Sequence, residues 1–110
     1  MQPAELARSY YETIDAHEYD ALSALLDEDF VHERPDRTLE GRDTFVSFMR
    51  DDRPRTETTH RVDAVLPGPG GVAVTGRLDA ADGSTLFRFV DVFTVRNAHL
   101  QHLVTFAGES

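Results

Sequence analysis

Asp91 is the acid whose surroundings most suggest chemistry. In the segment TLFRFVDVFTV it is the single carboxylate in the alternating row Phe87, Phe89, Asp91, Phe93. On a strand it therefore points where three phenyl rings point. Burial there raises a carboxyl pKa unless a cation or several donors hold the group ionised. A neutral acid in an apolar pocket can donate a hydrogen bond to an oxyanion or enolate, whereas an aspartate paired with a nearby arginine is structural. The segment FVHERP adds Phe30, His32 and Arg34 on one face and Val31 and Glu33 on the other. With Phe30 in the core, His32 and Arg34 line the same cavity. Arginine there holds an anion or a carbonyl, and histidine moves a proton near neutral pH. An Arg–Asp pair closing the rim, Arg34 with Asp91, fits the pattern equally well.

Weaker signals surround these. His60, beside Val62, reaches toward the pocket from a strand. In VAVTGRLDA, Arg77 and Asp79 share a face with Ala73 and Thr75 and read best as a surface pair beside a turn. Tyr10 and Tyr11 lie on the first helix, one of them facing the sheet, and a buried tyrosine hydroxyl wants a partner. His99 and His102 are three apart on a strand and face opposite ways. No spacing makes a metal site, GPGG precedes no helix, and there is no cysteine, so neither metal nor cofactor is expected.

The elements that position these groups follow from periodicity. Pro3, Leu6, Tyr10 and Ile14 predict a helix over about 3–16, and Ala21, Leu22, Leu25 and Leu26 a second to about 27. Phe30 to Pro35 reads as a strand, and Phe45, Phe48 and Met49 mark a third helix from Gly41 to about 50. DDRPRTETT is a polar loop. The period then becomes two, with strands at 58–66, 72–79, 85–95 and 99–107 joined by short turns. The fold class expected is α+β, three N-terminal helices packed over a curved, mostly antiparallel sheet in one domain, residues 1–110. Strict alternation puts Leu86, Arg88, Val90, Val92 and Thr94 on one face of the third strand, and Leu100, His102, Val104 and Phe106 on one face of the fourth. Both sides of the sheet are thus apolar, while helices cover only one. A homodimer packed through the outer sheet face is expected.

Composition bounds the rest. Hydrophobic residues make up 40 %, enough for a globular core. Acids number 20 against 11 basic residues, for a net charge of −9, and every basic residue is arginine. Such a surface repels phosphate backbones and anionic lipid, so neither nucleic acid nor membrane is an expected partner. The acidity fits a halophilic, high-salt cytoplasm, and the absence of lysine also fits a GC-rich genome. MQPAELARSYYE has no apolar h-region, from which a cytoplasmic location is expected.

The order of helix, DAHEYDAL turn, DEDFVHERPDRTLEGRD and four late strands resembles the nuclear transport factor 2-like superfamily, in its SnoaL-like and ketosteroid-isomerase-like branches. The resemblance covers nearly the whole chain, and the EGRD step is its most specific part. It implies a cone-shaped α+β barrel, usually dimeric, whose relatives include isomerases, polyketide cyclases, epoxide hydrolases, dehydratases and non-catalytic binders. Laid on the ketosteroid isomerases, Tyr10 matches the oxyanion-hole tyrosine and Asp91 the neutral acid of that family. The base position is occupied by Arg34, which cannot accept a proton. Laid on the limonene epoxide hydrolases, Arg77 and Asp79 match an Arg-x-Asp pair, while the second aspartate is replaced by Thr105.

The expected site has Asp91, Tyr10 and His32 acting on a small-molecule ligand, with His32 as base. Arg34, Phe30, Phe45, Phe48, Met49, His60, Phe87, Phe89, Phe93, Leu103 and Thr105 form the wall of an enclosed apolar pocket. Two functions remain open. One is a cofactor-free acid–base enzyme of the isomerase, cyclase or hydrolase type, and the other is a non-catalytic ligand-binding or accessory protein.

Overall fold

Pro3 pre-sets the first turn, and the Glu5 carboxylate accepts the Gln2 N–H at 3.0 Å, so helix α1 starts there and runs Pro3–Asp15. Its buried face is Leu6, Ala7, Tyr10, Tyr11 and Ile14, which turns both tyrosines inward rather than one. In the computed structural model, which describes residues 1–108, α2 (Tyr19–Leu25) passes directly into strand β1 (Leu26–Glu33). Residues 109–110, counted into the domain by sequence, lie outside the described residues. Strand β1 starts earlier than its first aromatic because Leu26 is already buried and paired with Leu100.

A short strand, β2 (Thr38–Glu40), folds back on β1 and was not expected from the polar run that contains it. Gly41 follows with φ of 95°, a conformation that favours glycine, and opens helix α3 (Arg42–Ser47). A π-helical turn, Phe48–Asp52, completes that helix. Strands β3 (Thr59–Gly68), β4 (Gly71–Asp79), β5 (Thr85–Arg96) and β6 (His99–Gly108) form the expected meander. The complete sheet has six strands in the order β2-β1-β6-β5-β4-β3. Only β1 and β6 pair in parallel, so the chain is three helices over a mixed sheet, a cone-like α+β architecture of the kind expected.

Two bulges revise the face assignment. In the β5–β6 ladder Thr94 pairs with His102 and Val95 with Leu100, leaving Gln101 extra. Leu100 therefore turns into the core at 0 % exposure instead of sharing the outer face with His102. In the β4–β5 ladder Leu78 pairs with Phe87 and Asp79 with Thr85, so Leu86 is extra and leaves the outer row as well. The core lies between α1, α3 and the inner sheet face, around Phe30, Phe45, Phe93, Val74 and Leu103. On the opposite face Leu66, Val90, Val92 and Phe106 are exposed. Among the described residues, no helix is long and apolar enough to cross a membrane.

Gly76 on β4 lies where Arg61 of β3 and the Phe89 ring of β5 converge. A β-carbon there would run into the Arg61 carbonyl and stand 2.9 Å from the Phe89 ring. Gly76→Ala is expected to lower the unfolding free energy by about 1–3 kcal/mol, as overpacking does. Urea denaturation measures it, and a change below about 0.5 kcal/mol would show that the ring and strand yield freely.

Candidate functional site

The mouth of the cone holds a cavity of about 450 Å³. Parallel pairing of β1 with β6 sets His32 beside Leu103, and the β5–β6 ladder sets Thr105 opposite Asp91. Alternation then turns His32, Asp91 and Thr105 to the same inner face. Of the residues named from the sequence, Tyr10, His32, Arg34, Met49, His60, Phe87, Phe89, Asp91 and Thr105 line this cavity. Phe30, Phe45, Phe48, Phe93 and Leu103 do not. They are buried in the packed core behind the wall, because α3 and α1 close over them. The rim includes exposed Pro35, Asp36, Pro54 and Arg55, so the pocket is open at that side rather than enclosed.

Sequence reading missed Pro35, Asp36, Arg53, Pro54, Arg55, Thr58, Leu78, Leu86 and Ala107. Leu78 continues the inner row Val72, Val74, Gly76 and was legible from alternation. Leu86 was not, because its orientation comes from the bulge. The RPRTET stretch carries no period at all, and only the fold brings it over the pocket.

Asp91, 5 % exposed, is held by two hydroxyls. Tyr11 donates to Oδ2 at 2.6 Å and Thr105 to Oδ1 at 2.6 Å. The tyrosine on this acid is thus Tyr11, while Tyr10 lines the cavity and its hydroxyl has no protein partner among the described residues. Arg34 does not reach Asp91. It pairs with Asp36 at 3.1 Å and lies over the Phe48 ring. Burial pushes the Asp91 carboxyl up, against the opposing bonds from Thr105 and Tyr11. Burial first, and then the charge of Asp91, raise Tyr10 and Tyr11 as well, so both phenols stay protonated.

His32 Nε2 lies 2.8 Å from Thr105 Oγ1. A threonine hydroxyl has one proton, and with Asp91 ionised that proton goes to the carboxylate. His32 must then donate from Nε2, which leaves Nδ1 as a buried acceptor without a partner among the described residues. Protonating Asp91 lets the whole row reverse, with Asp91 donating to Thr105 and Thr105 to His32. Burial, and then the Arg34 charge, lower the His32 pKa to about 3. His32 is therefore a weak base at neutral pH, and its position suits it to hold Thr105.

A different histidine has the geometry of a base. Asp15, the last residue of α1, accepts the backbone N–H of His60 at 2.9 Å on one oxygen and faces Nδ1 at 2.6 Å with the other. That contact fixes Nδ1 as the donor, so in the neutral ring the lone pair is on Nε2. The ring packs 4.9 Å from the Tyr11 ring, whose hydroxyl reaches Asp91. The sequence carried no signal for this pair, because its members are 45 residues apart on different elements.

Arg77 and Asp79 lie outside the pocket. Asp79 is buried and holds Arg61, Arg77 and Thr85, which joins β3, β4 and β5. Among the described residues, no group of three or more His, Cys, Asp or Glu is arranged to hold a metal ion.

A family model described as a SnoaL-like domain matches residues 7–102. No curated protein matches the chain. Solved structures share its fold. A nuclear transport factor 2-like protein of unknown function from Cytophaga hutchinsonii superposes with a TM-score of 0.84 at 13 % identity, covering 98 % of this chain and 91 % of that one. A protein assigned provisionally as a ketosteroid isomerase, from Kribbella flavida, gives 0.81 at 25 % identity over 99 % and 79 %. One assigned provisionally as a polyketide cyclase, from Sinorhizobium meliloti, gives 0.81 at 14 % over 93 % and 94 %.

The depressed His32 pKa has a signed consequence for stability. Above the unfolded value near 6.5 both states are neutral and nothing is lost. As pH falls from there toward about 3, the unfolded chain gains a proton that the folded site refuses, and stability drops. The loss attributable to His32 is expected to reach roughly 4–5 kcal/mol, from about 1.4 kcal/mol per unit. His32→Gln keeps a donor for Thr105 and removes the titration. Denaturation curves between pH 7 and pH 3 should show a shallower acid slope for the variant, and equal slopes would refute the burial of His32.

Proposed function

The chain belongs to the SnoaL-like family, and we propose that its pocket performs cofactor-free general acid–base chemistry on a small organic carbonyl compound, in the manner of an isomerase or cyclase. The observation that carries this reading is the Asp15–His60 pair lining the same cavity as Asp91 and Tyr10. A carboxylate on Nδ1 orients the ring and stabilises the imidazolium that forms when Nε2 takes a proton. Nε2 would remove the proton next to the carbonyl, and the Tyr10 hydroxyl would donate to the enolate oxygen as charge develops there. Burial pushes the Asp91 carboxyl upward, and the hydroxyls of Tyr11 and Thr105 occupy its two oxygens beside the reacting centre. The Kribbella flavida and Sinorhizobium meliloti proteins, by the activities they are assigned, support the same class. Binding without turnover is the alternative, and the exchange experiment below separates the two.

The reading includes a homodimer through the outer sheet face. Leu66, Val90, Val92 and Phe106 are 39–59 % exposed across β3, β5 and β6, and a second copy related by a twofold axis presents the same apolar row. Val92→Arg would place a charge at the middle of that face. It is expected to give monomers in light scattering, and an unaltered dimer would place the interface elsewhere.

Deuterium exchange at the carbon next to the carbonyl of 2-tetralone and acetoacetanilide, followed by proton NMR in D₂O, tests the chemistry. His60→Gln is expected to slow exchange by about 10²–10⁴-fold, the usual contribution of a general base. Asp15→Asn should also slow it, because an amide that donates to Nδ1 forces the proton onto Nε2. Equal exchange by His60→Gln and the parent would remove His60 from the role. Probes that bind without any exchange would make the protein a binder.

A further inference from the structure

Seven of the 11 arginines face a carboxylate. Arg34 and Arg37 share Asp36, Arg61 and Arg77 share Asp79, and Arg42, Arg50 and Arg88 face Asp43, Asp51 and Asp63. Arg8, Arg53, Arg55 and Arg96 have no such partner among the described residues, and of these four Arg53 and Arg55 line the pocket. In a chain of net charge −9, with 20 acids to draw on, two guanidiniums left uncompensated at one pocket rim call for an anion from outside.

Arg53 is positioned as well as uncompensated. Its Nε donates to the Met49 carbonyl at 2.7 Å and its Nη2 to the Tyr19 hydroxyl at 3.1 Å. A carbonyl and a hydroxyl fix the plane of the guanidinium without neutralising it, which leaves further N–H donors for a planar oxyanion. Pro54 stiffens the link to Arg55. Asp82 feels the Arg55 charge, but its Oδ1 is engaged by Ser84 through the backbone N–H at 2.9 Å and the hydroxyl at 2.6 Å. Inward of this rim the wall becomes apolar at Met49, Leu78, Phe87 and Phe89. The buried Asp91 has its carboxyl pushed toward the neutral form, so repulsion of an incoming anion is reduced.

We propose that the ligand is an organic carboxylate, with its anionic group at Arg53 and Arg55 on the rim and its apolar body, reacting carbonyl included, reaching inward toward His60. This deepens the reading of the cavity as a small-molecule site and rests on it. Arginine suits a carboxylate because two parallel N–H donors match its two oxygens.

Isothermal titration with 4-phenylbutanoate, 4-phenylbutan-1-ol and 4-phenylbutylamine at 50 mM KCl tests the inference. The three probes share one apolar body and differ in charge. The carboxylate is expected to bind at least tenfold more tightly than the alcohol, and the amine most weakly. The preference should shrink in 0.5 M KCl, where exposed charges are screened. Arg55→Gln removes a cation that makes no bond among the described residues, so it should fold normally and cut the preference at least threefold. Arg53→Gln together with Arg55→Gln should abolish it, with carboxylate affinity falling far more than alcohol affinity. An alcohol that binds as tightly as the carboxylate, or a preference untouched in Arg55→Gln and in the double variant, overturns the anionic ligand and leaves the pocket reading standing. Failure of all three probes to bind overturns the pocket reading and this inference with it.

Discussion

The bond between Tyr11 and Asp91 links the two layers of the fold. A carboxyl that is 5 % exposed can remain in an apolar interior only if its oxygens are paired, and here one partner comes from α1 and the other from β6. The helix is thereby referenced to the sheet at the floor of the cavity. The rest of the site takes its position from this contact. Tyr10, one residue back along the helix, is turned to the cavity wall and packs against Phe45 and Phe93. Asp15, one turn further on, reaches β3 and fixes His60. A single helix orientation thus sets the acid, the phenol and the imidazole together.

Burial sorts these groups by protonation state. Desolvation drives the Asp91 carboxyl and the two phenols upward and the His32 imidazole downward, so each favours its neutral form. Neutral groups can donate or accept hydrogen bonds in a dry pocket without the penalty of an isolated charge. Charge is kept at the rim, where water reaches it. There Arg34 pairs with exposed Asp36 and Arg53 rests on a carbonyl and a hydroxyl, in a chain of net charge −9. The result is a cavity with an apolar wall, hydrogen-bonded polar groups inside, and arginines at its entrance.

The two sides of the sheet are apolar for different reasons. The inner side packs on α1 and α3 and forms the core. The outer side has no cover among the described residues, and Leu66, Val90, Val92 and Phe106 are exposed there. Parallel pairing of β1 with β6 widens the sheet beyond the meander and brings His32 beside Thr105. Bulges at Leu86 and Gln101 then bend the strands, which is how a sheet curves around a pocket instead of lying flat.

Local physics made much of this legible in the amino-acid order. Alternation along β5 places Asp91 among Phe87, Phe89 and Phe93, and the structure buries it there. Helical spacing placed α1, and proline and glycine placed the turns, because these signals act within a few residues. Other features depended on contacts far apart in the chain. Which tyrosine meets Asp91 is decided by the rotation of α1, and both Tyr10 and Tyr11 satisfy the same periodicity. The pairing of His60 with Asp15 and the arrival of Arg53 and Arg55 at the pocket rim join segments that have no shared pattern. Leu86 and Leu100 left their expected faces because a bulge shifts the register by one residue, and a shift of one reverses a side chain. Sequence determined most of what each strand and helix would bury, outside the bulges; tertiary structure decided which buried groups would meet, because only packing brings distant side chains within bonding distance.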